Sequence, residues 1–260
     1  MKRHSVHQLR LFFVALQFFT RLPIPAWVGF DAAWLQQASR YFPAVGWVVG
    51  VVTASVYSVA SLVWPAAVAV LLSMIAGILL TGAFHEDGFA DVCDGFGGGL
   101  NAQRVLDIMR DSRVGAYGAM GAALMLLCKF VLLVSLPTVL VVPALLIAHP
   151  LSRLLSCSLI FCLEYARLEG KAKPLAQHMS SNEFGIACLS VLLPLSLILL
   201  WQPLLLTRLA PVLLLMLLAT VLLARLFVKK IGGYTGDCLG AVQQLSEVAC
   251  YLGLLAHWAH

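Results

Sequence analysis

Glu86, Asp87, Asp91, Asp94, Asp107 and Asp111 are six of the twelve acidic residues in a chain of 260. Carboxylates gathered so closely in an otherwise apolar chain repel one another and call for a cation among them. Hard oxygen donors suit Mg²⁺, which binds a few carboxylates and completes its shell with water and substrate phosphates. If a helix carries the preceding apolar run on to Asp94, its turn of ~100° per residue places Asp87, Asp91 and Asp94 within an arc of roughly 60°. That stripe is the expected metal site, with Glu86 as a further candidate ligand. Gly95, Gly97, Gly98 and Gly99 come directly after Asp94, the last of these aspartates, with only Phe96 between them. They read as a turn whose amides can approach a phosphate with no Cβ in the way.

Two more polar segments bear on the same chemistry. Residues 104 to 118 read as a short amphipathic helix feeding into an apolar run, with Arg104, Asp107 and Asp111 on one face and Arg110 and Arg113 elsewhere. Guanidinium forks match phosphate oxygens, so Arg104, Arg110 and Arg113 are candidate phosphate ligands; simple surface pairing with the neighbouring aspartates is the alternative. The glycine-rich stretch 232 to 240 sets Asp237 near the start of the last apolar run, as an N-terminal cap, a metal ligand or a general base. Asp111 is the other candidate base. His85 is a candidate ligand, proton donor or interface residue. Lys129, His149, Arg153 and Glu247 fall inside or beside apolar runs, where ionisable groups are paired or functional. Of these, Arg153 is the best placed to line a substrate cavity and meet phosphate.

The elements that must position these groups follow from composition. Hydrophobic residues make up 61% of the chain and charged residues 11%, and the mean hydropathy is +0.94. A soluble domain carries about 25% charged residues, so this is an integral membrane protein. Runs of roughly 20 apolar residues, enough to cross a ~30 Å hydrocarbon layer as helices, occur at 43 to 64, 66 to 84, 114 to 136, 139 to 163, 184 to 206 and 209 to 228, with a seventh at 239 to 256. The expectation is an all-α, polytopic membrane helix bundle of six to seven crossings, forming a single domain over residues 1–260. Leu11 to Phe19 is too short to cross and runs into Pro23 and Pro25; it reads as a retained interfacial or re-entrant helix.

Cationic residues then fix the orientation. Lys2, Arg3, Arg10, Arg21, Arg40, Arg104, Arg110, Arg113, Arg167, Lys171, Lys173, Lys229 and Lys230 all fall on one side of the bilayer, against Arg208 on the other. Cationic loops stay cytoplasmic, so the acidic cluster faces the cytoplasm. The net charge of +5 follows from this topology, and no basic patch interleaved with aromatics points to nucleic acid. The seven cysteines are scattered, without metal-site spacing, and read as packing residues. A homo-oligomer is compatible with the sequence but not required by it.

Taken together, the motifs are similar to one family. His85-Glu86-Asp87-Gly88 with Ala90-Asp91 and Asp94-Gly95, then Ile108-Met109-Arg110-Asp111-Ser112-Arg113 and Gly115, Ser152-Arg153, Thr235-Gly236-Asp237 with Leu239-Gly240-Ala241, and Phe19-Thr20-Arg21-Leu22-Pro23 resemble bacterial cobalamin synthases, the adenosylcobinamide-GDP ribazoletransferases, in the same order from near residue 12 to the C-terminus. The resemblance implies a multi-pass enzyme of the bacterial inner membrane that uses Mg²⁺, with Asp87, Asp91 and Asp94 at the metal by motif position. It implies transfer of adenosylcobinamide phosphate from adenosylcobinamide-GDP to α-ribazole or α-ribazole 5′-phosphate, with release of GMP. The segment 168 to 181 is less familiar, so Lys171, Lys173 and His178 carry no assigned role. A CDP-alcohol phosphotransferase would want Ala-Arg after Asp-Gly, where this chain has Phe89-Ala90-Asp91; a membrane prenyltransferase would want a second aspartate-rich motif where only Asp237 stands. A cation-coupled transporter would place its acids near the bilayer midplane in two matching halves.

Asp91→Asn keeps the shape of a ligand and removes its charge. The variant is expected to insert and fold normally while GMP release falls by orders of magnitude; near-normal turnover would remove Asp91 from the site. Reversal of charge at Arg208, on the opposite side, should leave turnover close to wild type.

Overall fold

A computed structural model of the chain describes residues 2–29, 31–166 and 177–256; Arg167, Lys171 and Lys173 lie outside them. The regular elements are α1 (Lys2–Phe19), α2 (Ala32–Ala38), α3 (Phe42–Ala60), α4 (Ala66–Thr81), α5 (Phe84–Gly98), α6 (Ala102–Ile108), α7 (Ala116–Ser135), α8 (Thr138–Cys162), α9 (Ser181–Trp201), α10 (Leu204–Ile231) and α11 (Gly236–Leu255), with two short 3₁₀ turns flanking α2. The fold is all-α. Six helices among the described residues are long and apolar enough to cross a membrane, with α2 and α3 read as one stretch, and α4 with α5 makes a seventh.

The crossings alternate in direction, so the described residues before α3, between α4 and α7, at the end of α8 and the start of α9, and between α10 and α11 share one end of the bundle. The segments carrying the expected metal ligands and candidate bases are at that end, whereas Arg153 lies within α8. The expected crossings and the observed helices agree to within a few residues. The N-terminal helix is longer than the apolar run that marked it, starting at Lys2, and it is not among the helices apolar enough to cross. Its Leu11, Val14 and Ala15 are buried while Leu9 and Phe18 stay exposed. That sidedness suits a helix lying along the membrane face, and Thr20, Pro23 and Pro25 end it.

Helix α11 is the axis of the packing. In its apolar window 78% of residues are buried, against 17% for α9 and 28% for α10, which therefore turn their leucines toward lipid. Close helix approach in lipid needs small residues at the crossing points. Gly46 of α3 faces the α8 backbone, where an added Cβ would lie 2.6 Å from the His149 carbonyl oxygen and the Pro150 Cα; Gly253 of α11 is 2.5 Å from Val212 Cα of α10 on the same measure.

Gly46→Ala must push two backbones apart, and we expect a loss of about 1–3 kcal/mol in unfolding free energy. Gly185 in α9 has nothing within 4 Å of an added Cβ, so Gly185→Ala should raise stability by about 0.5–1 kcal/mol. Thermal melting in detergent micelles compares the two; equal behaviour would contradict the packing described.

Candidate active site

The acidic helix is not a continuation of α4. Gly82 closes α4 in the left-handed region at φ 68°, Ala83 follows at φ 60°, and α5 leaves at 87° to α4. The loop after α1 braces the corner: the Arg21 amide donates to the Leu80 carbonyl at 2.8 Å, and the Arg21 guanidinium packs against Gly82, where no Cβ intrudes. Phe19 stacks on His85 with centroids 5.3 Å apart. The helix through His85 to Asp94 is thus not the continuation of the preceding apolar run that the sequence suggested, but a separate element lying across the bundle end. An uninterrupted helix would have carried its carboxylates away from the other elements.

Glycines let α5 settle on its neighbours. A Cβ on Gly88 would be 3.1 Å from Asp237 Cα, and one on Gly240 would be 3.0 Å from the His85 carbonyl oxygen. On the other side, Gly118 and Gly121 of α7 abut Ala90 and Cys93. The glycine run at the end of α5 is helical and not the open turn expected from sequence. Gly97 and Gly98 lie inside the last turn of α5 and Gly99 is its cap; Gly97 accommodates the Tyr117 ring and Gly99 the Val105 side chain. Packing against α6 and α7 explains those glycines.

Asp87 is exposed, Asp91 half-buried and Asp94 buried. Asp94 is turned into protein: the Gly115 and Gly118 amides donate to its two oxygens at 2.7 and 2.8 Å, capping the start of α7. The expected stripe of three metal ligands is thus split, because the open N-terminus of α7 claims the third. Among the described residues no three His, Cys, Asp or Glu side chains converge as an ion cage. Asp87 and Asp91 remain on one face of α5, with Asp237 entering from the first turn of α11 beside Gly88. Mg²⁺ is commonly held by one or two carboxylates plus substrate phosphates, so this sparse set fits it where a closed cage would not be needed. At α11, Thr235 is the N-cap, accepting from the Cys238 amide at 3.4 Å and donating to Asp237 Oδ2 at 3.3 Å.

The segment after α5 also departs from expectation. Helix α6 stops at Ile108 and α7 starts at Ala116, so no single helix spans 104 to 118 and the Arg104, Asp107, Asp111 stripe does not form. Asp107 accepts from Gln103, and Arg104 is exposed near the Asn101 cap. Arg113 is bonded to Asp111 through Nε and Nη2, the shortest contact being 2.6 Å. That pair holds the exposed Asp111 carboxyl down at about 2, through the hydrogen bonds from Arg113. Arg110 is exposed just beyond α6.

Below α5, the bundle interior holds a second polar group of residues. Glu247 of α11 is 1% exposed. It accepts from Lys129 of α7 at 2.6 Å and meets His149 Nδ1 of α8 at 2.7 Å, with Arg153 Nη1 3.9 Å away. Gln243 also donates to Glu247, and Gln244 links Lys129 to Glu86, to which it donates at 3.0 Å. His85, Glu86, Lys129, His149, Arg153 and Glu247 line a cavity of about 50 Å³. Sequence reasoning singled out Lys129, His149, Arg153 and Glu247 but missed Gln243 and Gln244. Their signal was an amide pair three to four residues before a buried glutamate.

These features define a multi-pass membrane protein with a carboxylate site at one end of the bundle and a charged network beneath it. The profile of the cobalamin-5-phosphate synthase family matches residues 11–255, and the chain belongs to that family. It is 48% identical to the adenosylcobinamide-GDP ribazoletransferase of Shewanella frigidimarina, over 96% of each chain. It is 47% identical to that of Shewanella woodyi, over 95% of this chain and 96% of the relative, and 46% identical to that of Shewanella oneidensis, over 98% and 97%. No solved structure matches it.

Breaking the buried pair from one side leaves an uncompensated charge. Lys129→Met and Glu247→Gln are each expected to destabilise the fold by about 3–5 kcal/mol, and the double variant to recover most of that loss. Additive losses in detergent unfolding would refute the coupling.

Proposed function

We propose that this protein transfers the adenosylcobinamide phosphate group of adenosylcobinamide-GDP to α-ribazole or its 5′-phosphate, releasing GMP, at the cytoplasmic face of a bacterial inner membrane. Family membership supplies the reaction, and the meeting of α5 with α11 at Gly88 and Asp237 is the observation that carries the site. The cytoplasmic orientation rests on the cations that share this end of the bundle, from Arg10, Arg21 and Arg40 through Arg104, Arg110 and Arg113 to Lys229 and Lys230.

In the reaction a ribose hydroxyl oxygen bonds to the phosphorus attached to cobinamide. The bond from that phosphorus to the bridging oxygen breaks, and GMP leaves with the electron pair. Asp87 and Asp91 from α5, with Asp237 from α11, would hold Mg²⁺, which when bound neutralises charge on the diphosphate. Asp237 is the proposed acceptor of the hydroxyl proton; the other candidate, Asp111, is hydrogen-bonded to Arg113. Arg104 and Arg110, exposed at the same end of the bundle, would supply cationic charge toward phosphate oxygens. Asp94 serves the site indirectly by fixing α5 to the start of α7.

The test uses the full chain in liposomes with adenosylcobinamide-GDP and α-ribazole. GMP release should require both substrates and Mg²⁺, and Asp237→Asn should lower kcat by about 10²–10⁴-fold. Cation-driven flux with no GMP formed would replace this reading with transport, and full activity of Asp237→Asn would remove that residue from the proton path.

A further inference from the structure

Glu86 is the neighbour of Asp87 in sequence, yet it points the other way. About 100° further round the helix, its carboxylate enters the bundle, where Oε1 accepts from Gln244 at 3.0 Å. Gln244 in turn accepts from Lys129, and Lys129 is bonded to Glu247 at 2.6 Å. A continuous chain of hydrogen bonds therefore runs from the buried centre of the bundle, through α7 and α11, to the first turn of α5. The other oxygen, Oε2, is buried with no hydrogen-bond partner among the described residues, and so is Nε of Arg153. Both residues line the cavity of about 50 Å³, which has room for one or two waters able to join an acceptor to a donor.

Three features of this arrangement bear on what Glu86 does. An ion at Glu86 would sit in a cavity that also receives the cationic ends of Lys129 and Arg153, which is hostile to a second metal ligand. The start of α5 has no side-chain cap, and it follows Ala83, a residue with a Cβ held at φ 60°. That conformation is unfavourable for alanine, so the direction of α5 must be imposed from elsewhere. A rotation of α5 by one residue would swing Asp87 and Asp91 off the face that meets Asp237.

We propose that Glu86 is a positioning residue, the point at which the buried Glu247–Lys129–Gln244 chain grips α5 and sets the rotation of the Asp87 and Asp91 face. The proposal rests on the transferase reading for its kinetic arm only. Its variants are Glu86→Ala, Gln244→Leu, the two combined, and Glu86→Gln, which keeps shape and can still accept from Gln244.

Glu86→Ala and Gln244→Leu should each lower kcat by about 10–100-fold, as loss of a partner behind a site residue does, with substrate KM little changed. The combined variant should be no slower than the worse single one, and Glu86→Gln should recover most of the loss. Amide hydrogen exchange of residues 84–98, measured on the protein alone, should quicken in the first two variants and return toward wild type in Glu86→Gln. Glu86→Gln as inactive as Glu86→Ala, with exchange in α5 unchanged in both, would make the carboxylate charge itself the requirement and overturn the proposal. Additive losses in the combined variant would do so too. If the wild-type chain releases no GMP, the transferase reading fails while the exchange measurement still decides the positioning.

Discussion

A glutamate in the middle of an apolar bundle constrains everything around it. Glu247 is held by Lys129, His149 and Gln243, with Arg153 close by, so groups from α7, α8 and α11 must meet at one point. An isolated charge in such surroundings is strongly disfavoured, whereas a charge with several donors is tolerated and sets geometry. The register of three crossings follows from satisfying it. Through Gln244 and Glu86 the same network reaches the helix that carries the aspartates. Interior electrostatics and site geometry are in this sense one structure, with the cavity as their shared boundary.

The site itself is assembled from elements far apart in sequence that share one end of the bundle. Helix α5 lies across that end, seated on α11 by Gly88 and Gly240 and on α7 by Gly118 and Gly121. Small residues at these four crossing points let the helices approach closely, with Gly88, Gly118 and Gly240 against backbone and Gly121 against the Cys93 side chain. Asp94 gives its oxygens to the start of α7 and becomes part of the frame. Asp87, Asp91 and Asp237 are what the frame presents.

Sequence reasoning located the crossings well because hydropathy over twenty residues is a strong, local signal, and α7, α8 and α11 begin and end within three residues of the expected limits. It located the polar stretches for a similar reason, since charge is rare in this chain. It failed where the outcome depended on a partner. The break at Gly82 and Ala83 is invisible when the apolar pattern runs on through residue 84. The role of Asp94 depends on amides 21 and 24 residues away. Gly97 and Gly98 look the same in sequence whether they admit a phosphate or a tyrosine ring, and only the position of Tyr117 decides. Gln243 and Gln244 were missed because neutral amides carry no signal until the charges beside them are placed.

The seat of α5 on α11 has a consequence for biogenesis. Helix α5 emerges from the ribosome well before α11, with five acidic-to-polar side chains and a left-handed alanine at its start, and nothing in its own segment holds it in place. Its receiving surface at Gly240 and Gln244 lies on α11, which is synthesised after every other described helix. Until α11 has inserted, the aspartate-bearing helix can rest on α7 and on the end of α1. A nascent chain that stalls before that point would have its other crossings in place and yet lack Asp237 and the surface that seats the start of α5.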